Sequence, residues 1–455
     1  MVFSGRLAVL GLLAVVGCGR WGFGDRATDR GDSEPGDDGV VTISLITTAG
    51  PLQGTPIIVH NADGELLGEL VTDVNGQAWG WIPPGGMITI PDAGGNNYID
   101  RARRYAARTI MGLEPGMEIT IGSSYDPWAY DTIVGVTFSE EFLGADSYSV
   151  TAGCAGDTAG SWTGSMELKV GEECRREATD LTLVGRAYDV DGNLLASSVL
   201  EGLAMDAETA VMPAWTASAP VAANLAVSGT PAYADDVDGR LYSLYRGLTY
   251  DSASDSVSSV GSAGAQFSFD LHDERLDARR VAVSVDFDDP NDPDAPDSVL
   301  FYRAKRSTTD TTVTVDFDDM SMPIVRSVAV DTDGPRPSFT IDSEGNTFDG
   351  ADHRFTVIEW LTADDHEYEW MFMHPPGMDS FPMPEMPKEF ENYLLGAEDE
   401  VLALETAVFD YDFVVDYQDM LGTFGFELFA LEFWLAPVED WSWKASAGPG
   451  GFRRL

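Results

Sequence analysis

The chain of 455 residues is poor in cysteine, histidine and lysine. It has three cysteines and five histidines, and lysine stands only at Lys169, Lys305, Lys388 and Lys444. None of the histidines (His60, His272, His353, His366, His374) belongs to an H-E-x-x-H pair, because "HEYEW" has the wrong spacing, so that zinc-hydrolase signature is excluded. No G-x-S-x-G elbow and no P-loop lysine motif occurs. A Ser/His/Asp triad assembled from distant loops stays open, as does a carboxylate pair of the glycosidase kind. Positive charge is scarce: 27 basic residues against 76 acidic ones give a net charge of −49. That field repels nucleic-acid phosphates and anionic surfaces, so nucleic-acid binding is excluded, while cations and basic partners are attracted. The bias toward arginine fits a GC-rich genome or a saline habitat as well as a function. A membrane-spanning helix is not read either, since the N-terminal apolar run, Leu7 to Val16, falls short of the roughly 20 residues a bilayer requires.

What is present begins with globular composition. Hydrophobic residues make up 44% of the chain, enough for several cores, and the length suggests about three or four domains. The first residues, "MVFSGRLAVLGLLAVVGCG", place one basic residue, Arg6, before the short apolar run, the pattern of a signal peptide over 1–17. Its end, "VVGC", resembles a bacterial lipobox with Cys18 as the lipidated residue; an ordinary secretory signal with an incidental cysteine is the alternative. Residues 18–39 are polar and rich in Gly and Asp, the composition of a flexible tether. Gly19 rather than Asp follows the cysteine, and by resemblance to enterobacterial sorting this implies the outer membrane. The partner so implied is the membrane, through a lipid anchor.

The remaining cysteines, Cys154 and Cys174, make an even pair suited to an oxidising compartment. A disulfide between them would close a loop of about 20 residues and stabilise by roughly 3 kcal/mol. A two-cysteine metal site is the weaker alternative.

Periodicity is of period two almost throughout: "VTISLIT", "TPIIVHN", "MEITIGS", "DLTLVGRAYDV", "QFSFDLH", "RVAVSVDF", "VLFYRAKR", "TVTVDFD", "VRSVAVD" and "HRFTVIEWL". Between them stand "NADGE", "DVNGQ", "DVDGN", "DVDGR", "DTDGP" and "DSEGN", where glycine supplies the positive φ of a hairpin turn. The fold class expected is all-β: tandem antiparallel β-sandwich (Ig-like or transthyretin-like) modules with little helix. The best helix candidate is "KEFENYLLGAEDEVLALETAV", residues 388–408.

Residues 50–90 carry Pro56 ahead of a strand ending at Val59, the turn Asp63-Gly64, "TDVNG" at 72–76 and "PPGG" at 83–86. This segment resembles carboxypeptidase-regulatory-like (transthyretin-like) and bacterial Ig-like β-sandwiches, which implies a fold and a spacer or adhesive habit. The expected modules are 40–123, 124–215 with the disulfide, 216–326 with an acidic repeat, and 327–455 with a Met/Pro-rich segment. Their order resembles that of uncharacterised delta-proteobacterial lipoproteins and implies no activity.

The acidic repeat is "VAVSVDFDDPNDPDAPDS" at 281–298 and "VTVDFDDM" at 313–320. A meander through "VLFYRAKR" would bring both "DFDD" ends to one sheet edge about 10 Å apart. Asp286, Asp288, Asp289, Asp292, Asp294, Asp297, Asp316 and Asp318 would then crowd together, and calcium, which takes 6 to 8 oxygen ligands, suits such a set. No EF-hand spacing is present, and a solvated acidic face is the competing reading. Met371, Met373, Met378, Met383 and Met386 with His374 resemble the thioether-rich segments of copper proteins, against the reading of adaptable core filler. "RARRYAAR", with Arg101, Arg103, Arg104 and Arg108, is expected to pair with the chain's own acids. The role expected is a non-catalytic cell-envelope lipoprotein with structural, adhesive or ligand-binding duties toward a protein or polysaccharide. A secreted-type hydrolase acting on polysaccharide or protein is the alternative, and a calcium- or copper-binding envelope protein a further one.

Overall fold

Alternation of apolar and polar residues becomes strand nearly everywhere it occurs, and burial follows it. Ser165–Gly171 and Ala265–Leu271 bury every second residue. The computed structural model describes residues 40–47, 50–92, 104–122, 130–153, 156–159, 161–171, 174, 180–231, 233–246, 248–271, 276–287, 298–306, 310–319, 322–344, 351–412, 414–423 and 442–448. Among them the fold is all-β, as expected.

The Asx-Gly turns form for a local reason. Asp73 Oδ1 accepts hydrogen bonds from the backbone N–H of Asn75 and Gln77, at 2.8 and 2.9 Å. Asp189 Oδ1 does the same for Asp191 and Asn193, at 2.9 and 2.8 Å. At Gly76 the φ is +73°, and a Cβ there would stand 2.4 Å from the Leu45 carbonyl oxygen, so the turn tolerates only glycine. "DVDGR" at 236–240 behaves otherwise: it lies inside the strand Ala234–Tyr245. Gly239 is there because the Phe267 ring would meet a Cβ at 2.7 Å, which is a packing reason and not a turn.

The first three stretches of chain close in the same way. Val40–Thr47 runs parallel to Glu118–Ile121, Tyr130–Phe138 to Thr209–Met212, and Val221–Ser228 to Thr312–Asp316. In each stretch the opening strand lies beside the last one, so the antiparallel expectation needs these parallel closures added. The stretch 130–217 builds its two sheets from its own strands, around a core that includes Val134, Leu168, Leu183 and Cys174.

Elsewhere the sheets cross the expected modules. One sheet has twelve strands, in the order Leu248–Ser258, Ala234–Tyr245, Ala278–Phe287, Ser298–Arg306, Ser442–Ala447, Glu400–Tyr411, His353–Leu361, Glu367–His374, Arg104–Leu113, Gly86–Asp92, Pro56–His60, Leu66–Val71. Strands near both ends of the chain are joined by the parallel pairing of Arg104–Leu113 with Glu367–His374. The sheet of Val40–Thr47, Gly50–Pro51, Gln77–Trp81 and Glu118–Ile121 covers one face, through a core of Ile43, Ile88, Ile110, Phe409 and Ala445. The opposite face is covered twice. Ile324–Asp331, Ser338–Glu344 and Ser380–Pro382 pack on Trp360, Trp370 and Phe372, and the sheet holding Val221–Ser228 packs on Val281, Val283 and Tyr302.

The helix expected over 388–408 does not form. Lys388–Tyr393 is a 3-10 turn and Glu400–Tyr411 is a strand. That strand is paired on both sides, with His353–Leu361 and Ser442–Ala447, and this long-range pairing overrides the local propensity of "EDEVLALETAV".

Candidate functional site

The second acidic copy builds one wall of a cavity. Thr312–Asp316 runs beside Val221–Ser228 with Asp316 opposite Ser228, and the chain then turns through Phe317–Asp319. Gly229, at φ +68°, permits the close approach: a Cβ there would stand 2.3 Å from Asp318 N. Asp318 N–H donates to Asp316 Oδ1 at 3.2 Å, which holds the acidic end folded. The far wall comes from the long sheet, as Leu300 and Phe301 with Lys444 and Ala445, and Met322 and Ile324 close the side. The cavity measures about 380 Å³, within the roughly 300–1,000 Å³ usual for small-molecule sites.

Its chemistry is mixed. Leu300, Phe301, Phe317, Met322 and Ile324 give an apolar lining, while Thr230, Tyr233, Asp318 and Lys444 supply polar groups. Thr230 Oγ1 donates to the Gly261 carbonyl at 2.6 Å. Lys444 Nζ stands 2.9 Å from Asp410 Oδ2, with both side chains mostly buried. Arg326 donates to the Tyr233 hydroxyl at 3.2 Å and lies over its ring at 5.2 Å. Such a lining suits a small molecule with an apolar body and a polar group facing Asp318 or Lys444.

The structure redistributes the expected calcium ligands. The meander does not form: Ala278–Phe287 pairs with Ser298–Arg306 in the long sheet, whereas Thr312–Asp316 belongs to the sheet facing it. Val281, Val283 and Val285 meet Val313, Val315 and Phe317 in one core. Asp286 and Asp316 therefore point away from that core on opposite sides, with two sheets about 10 Å apart between them, and do not share a coordination sphere. Asp286 instead stands opposite Asp236. Burial first, and then the Asp236 charge, raises the carboxyl of Asp238 above the usual range on the same face. Asp288, Asp289, Asp292, Asp294 and Asp297 lie outside the described residues. Among the described residues no three His, Cys, Asp or Glu side chains are grouped to hold a metal ion.

The methionines do not converge either. Met373 lies in the core on one face of the long sheet, and Met383 and Met386 in the core on the other. His374 is fully buried, with Nε2 3.0 Å from Thr356 Oγ1. These residues fill the core. Cys174 is fully buried; Cys18, Cys154, Arg101 and Arg103 lie outside the described residues. Arg108 is half-buried in the long sheet, opposite Met371.

A constellation not anticipated from sequence is a buried polar row. Thr89, Thr109, Thr356 and Thr406 stand in register across the long sheet, with Phe372 between the two pairs. His60 Nε2 lies 3.0 Å from Thr89 Oγ1, which is 2.8 Å from Thr109 Oγ1, and Trp370 Nε1 donates to Thr109 at 2.8 Å. Thr356 Oγ1 is likewise 3.0 Å from Thr406 Oγ1. Burial, with Arg336 adding, pushes His60 down to about 3, and burial alone takes His353 to about 3. Sequence marked the cavity at two points: the second "DFDD" copy with Asp318, and Lys444, one of four lysines in the chain, in the otherwise uncharged strand "SWKASA".

No protein-family model matches the chain, and no curated protein does. Among solved structures it is similar to the Bacillus anthracis TIE protein, at 10% identity and a TM-score of 0.13, covering 61% of this chain. The match spans 50% of that protein's length, and a likeness at this score supports no statement about fold or activity.

Proposed function

We propose that the chain is a non-catalytic cell-envelope lipoprotein, anchored through Cys18 and holding β-sandwich modules out from an outer membrane for structural, adhesive or ligand-binding work. The observation that carries this is the N-terminal order: a basic residue, a short apolar run, "VVGC", and a polar stretch of 22 residues before the first strand begins at Val40. The all-β architecture fits a display role, and the resemblance of 50–90 to carboxypeptidase-regulatory-like sandwiches points the same way. The self-contained sheets of 130–217 support dividing the chain near 123 and 215. Complete burial of Cys174 supports a Cys154–Cys174 bridge. Among the display roles, the cavity beside Asp318 and Lys444 favours binding of a small ligand.

The test is chemical. Mass spectrometry of the mature N-terminal peptide is expected to find residues 1–17 removed and acyl chains on Cys18. The Cys18→Ser chain is expected to leave the membrane fraction. A mature N-terminus elsewhere, on a protein that fractionates as soluble, would overturn the reading.

A further inference from the structure

Two tryptophans face solvent on the outer side of the N-terminal sheet. Trp79 and Trp81 are 57% and 58% exposed, whereas Trp360 and Trp370 are fully buried. The alternation of Gln77–Trp81 explains the placement: Ala78 turns into the core, and Gly80 packs against Leu70, leaving both indoles on the other face. They stand about 7 Å apart along the strand. Val40 lies opposite Trp81, Thr42 opposite Trp79 and Ser44 opposite Gln77. The next strand places Glu118 opposite Thr42 and Thr120 opposite Ser44. Among the described residues paired across these three strands, the face combines two indoles, a valine, hydroxyls and an amide with a single carboxylate, Glu118, on a chain whose net charge is −49.

The position of this face matters as much as its composition. Val40 opens the first strand, so the chain that precedes it emerges beside Trp81. The 22 residues from Cys18 to Gly39 have a flexible composition with a root-mean-square reach of about 26 Å. A lipid on Cys18 would hold the Trp79/Trp81 face near the bilayer, making a second contact effectively intramolecular. Indole prefers the membrane–water interface, since it joins an apolar body to an N–H donor.

We propose that the outer face of the N-terminal sheet, centred on Trp79 and Trp81, is a lipid-contacting surface that seats this end of the molecule on uncharged headgroups. The inference rests on the lipid-anchor reading and adds to it an orientation: the outer face of the N-terminal sheet meets the membrane, and the long sheet packs behind it on its inner face. Uncharged headgroups suit the contact because anionic lipid would repel a chain of net charge −49, six of whose acids lie in residues 18–39, just ahead of the first strand of this face.

The test uses residues 19–455, the mature chain without its lipidated Cys18, with phosphatidylcholine vesicles. The wild-type chain is expected to co-float with the vesicles, and brominated lipid is expected to quench part of its tryptophan emission. Trp79→Ser/Trp81→Ser is expected to partition at least about tenfold more weakly with an unchanged urea midpoint, because both side chains are already solvent-exposed. Trp79→Phe/Trp81→Phe is expected to recover part of the binding. Equal flotation of wild type and double variant, or flotation of neither, overturns the inference. So does a tryptophan-dependent response to soluble polysaccharide, or to self-association, without flotation. Lipidated Cys18 together with a wild-type chain that does not float sinks this inference alone. Unmodified Cys18 sinks the anchor reading, whatever the vesicles show.

Discussion

His353 is fully buried, its ring stacked on Phe409 at 4.8 Å and on Tyr411 at 5.6 Å, so protonating it would place a charge among aromatic rings. Burial holds it down to about 3 and His374 well below the usual histidine range, and His60 is likewise at about 3. The next residue along the chain from His353 shows the reverse. Burial raises Asp352 to about 7, although it accepts a 2.6 Å hydrogen bond from the Tyr411 N–H. The signs follow from where the protons bind. In the unfolded chain the histidines titrate near 6.5, so below that pH the unfolded state takes up protons that the native state refuses, and stability falls. Asp352 works the other way: between about 7 and its unfolded value near 3.9 the native state holds a proton the unfolded state lacks, so its contribution grows as pH falls. Urea denaturation at pH 6, 5 and 4 should therefore show a steep loss of stability. His353→Phe, which keeps the stack, should make the slope shallower by about 1.4 kcal/mol per pH unit, and Asp352→Asn should make it steeper by a similar amount. Slopes unchanged in both variants would mean that neither group has a shifted pKa.

Strands sum such residues into a polar seam. Across the long sheet, Thr356 is the hinge of the second half of the threonine row, reaching His374 Nε2 and Thr406 Oγ1, each at 3.0 Å. Thr356→Val keeps the shape but takes the partner from His374 Nε2, while Thr406 Oγ1 keeps its bond to the Phe355 carbonyl at 3.0 Å. A loss of about 1–3 kcal/mol is expected in chemical denaturation, the cost of leaving a buried polar group unpaired, where a surface Thr→Val would be nearly neutral. At this scale the sequence was legible wherever a strand kept one face in water. "MELKVG" and "QFSFDL" declare their burial residue by residue, and the turns at Asp73 and Asp189 declare themselves by the side chain that caps them. It was not legible where both faces are covered. "EVLALETAVFDY" loses its alternation in its second half because both faces are buried, Phe409 in one core and Val408 in the other, and "DVDG" at 236–239 sits in a strand because Phe267 needs the space. The site suffered similarly. Each "DFDD" copy was recognisable as a strand end, but which sheet each joined depended on pairings such as that between Asn224 and Thr312, which no local pattern carries.

For the whole molecule, the decisive fact is which stretches share strands. Strands from 56–113, 234–306 and 353–447 are woven into one sheet, and the sheets packed on it share its cores. None of them can be withdrawn without opening an apolar face of the others, so these parts should unfold together. The stretch 130–217 differs: among the described residues none of its strands pairs outside it. It meets the long sheet through side chains near one hairpin. Arg246 pairs with Asp180, the Tyr250 hydroxyl donates to the Thr182 carbonyl at 2.9 Å, and Arg186 donates to the Tyr250 carbonyl at 2.9 Å. Val184, Leu248 and Tyr250 form a small apolar cluster beside them. Calorimetry is therefore expected to resolve two transitions, the smaller with an enthalpy of about 60 kcal/mol for a unit of this size. A reductant should lower the smaller one alone if Cys154 and Cys174 are bridged, since the loop they would close lies wholly within that unit. Tyr250→Phe should shift the smaller transition downward by weakening its attachment, with the larger one displaced less. A single transition that all probes report together would show that this junction couples as strongly as the shared strands do.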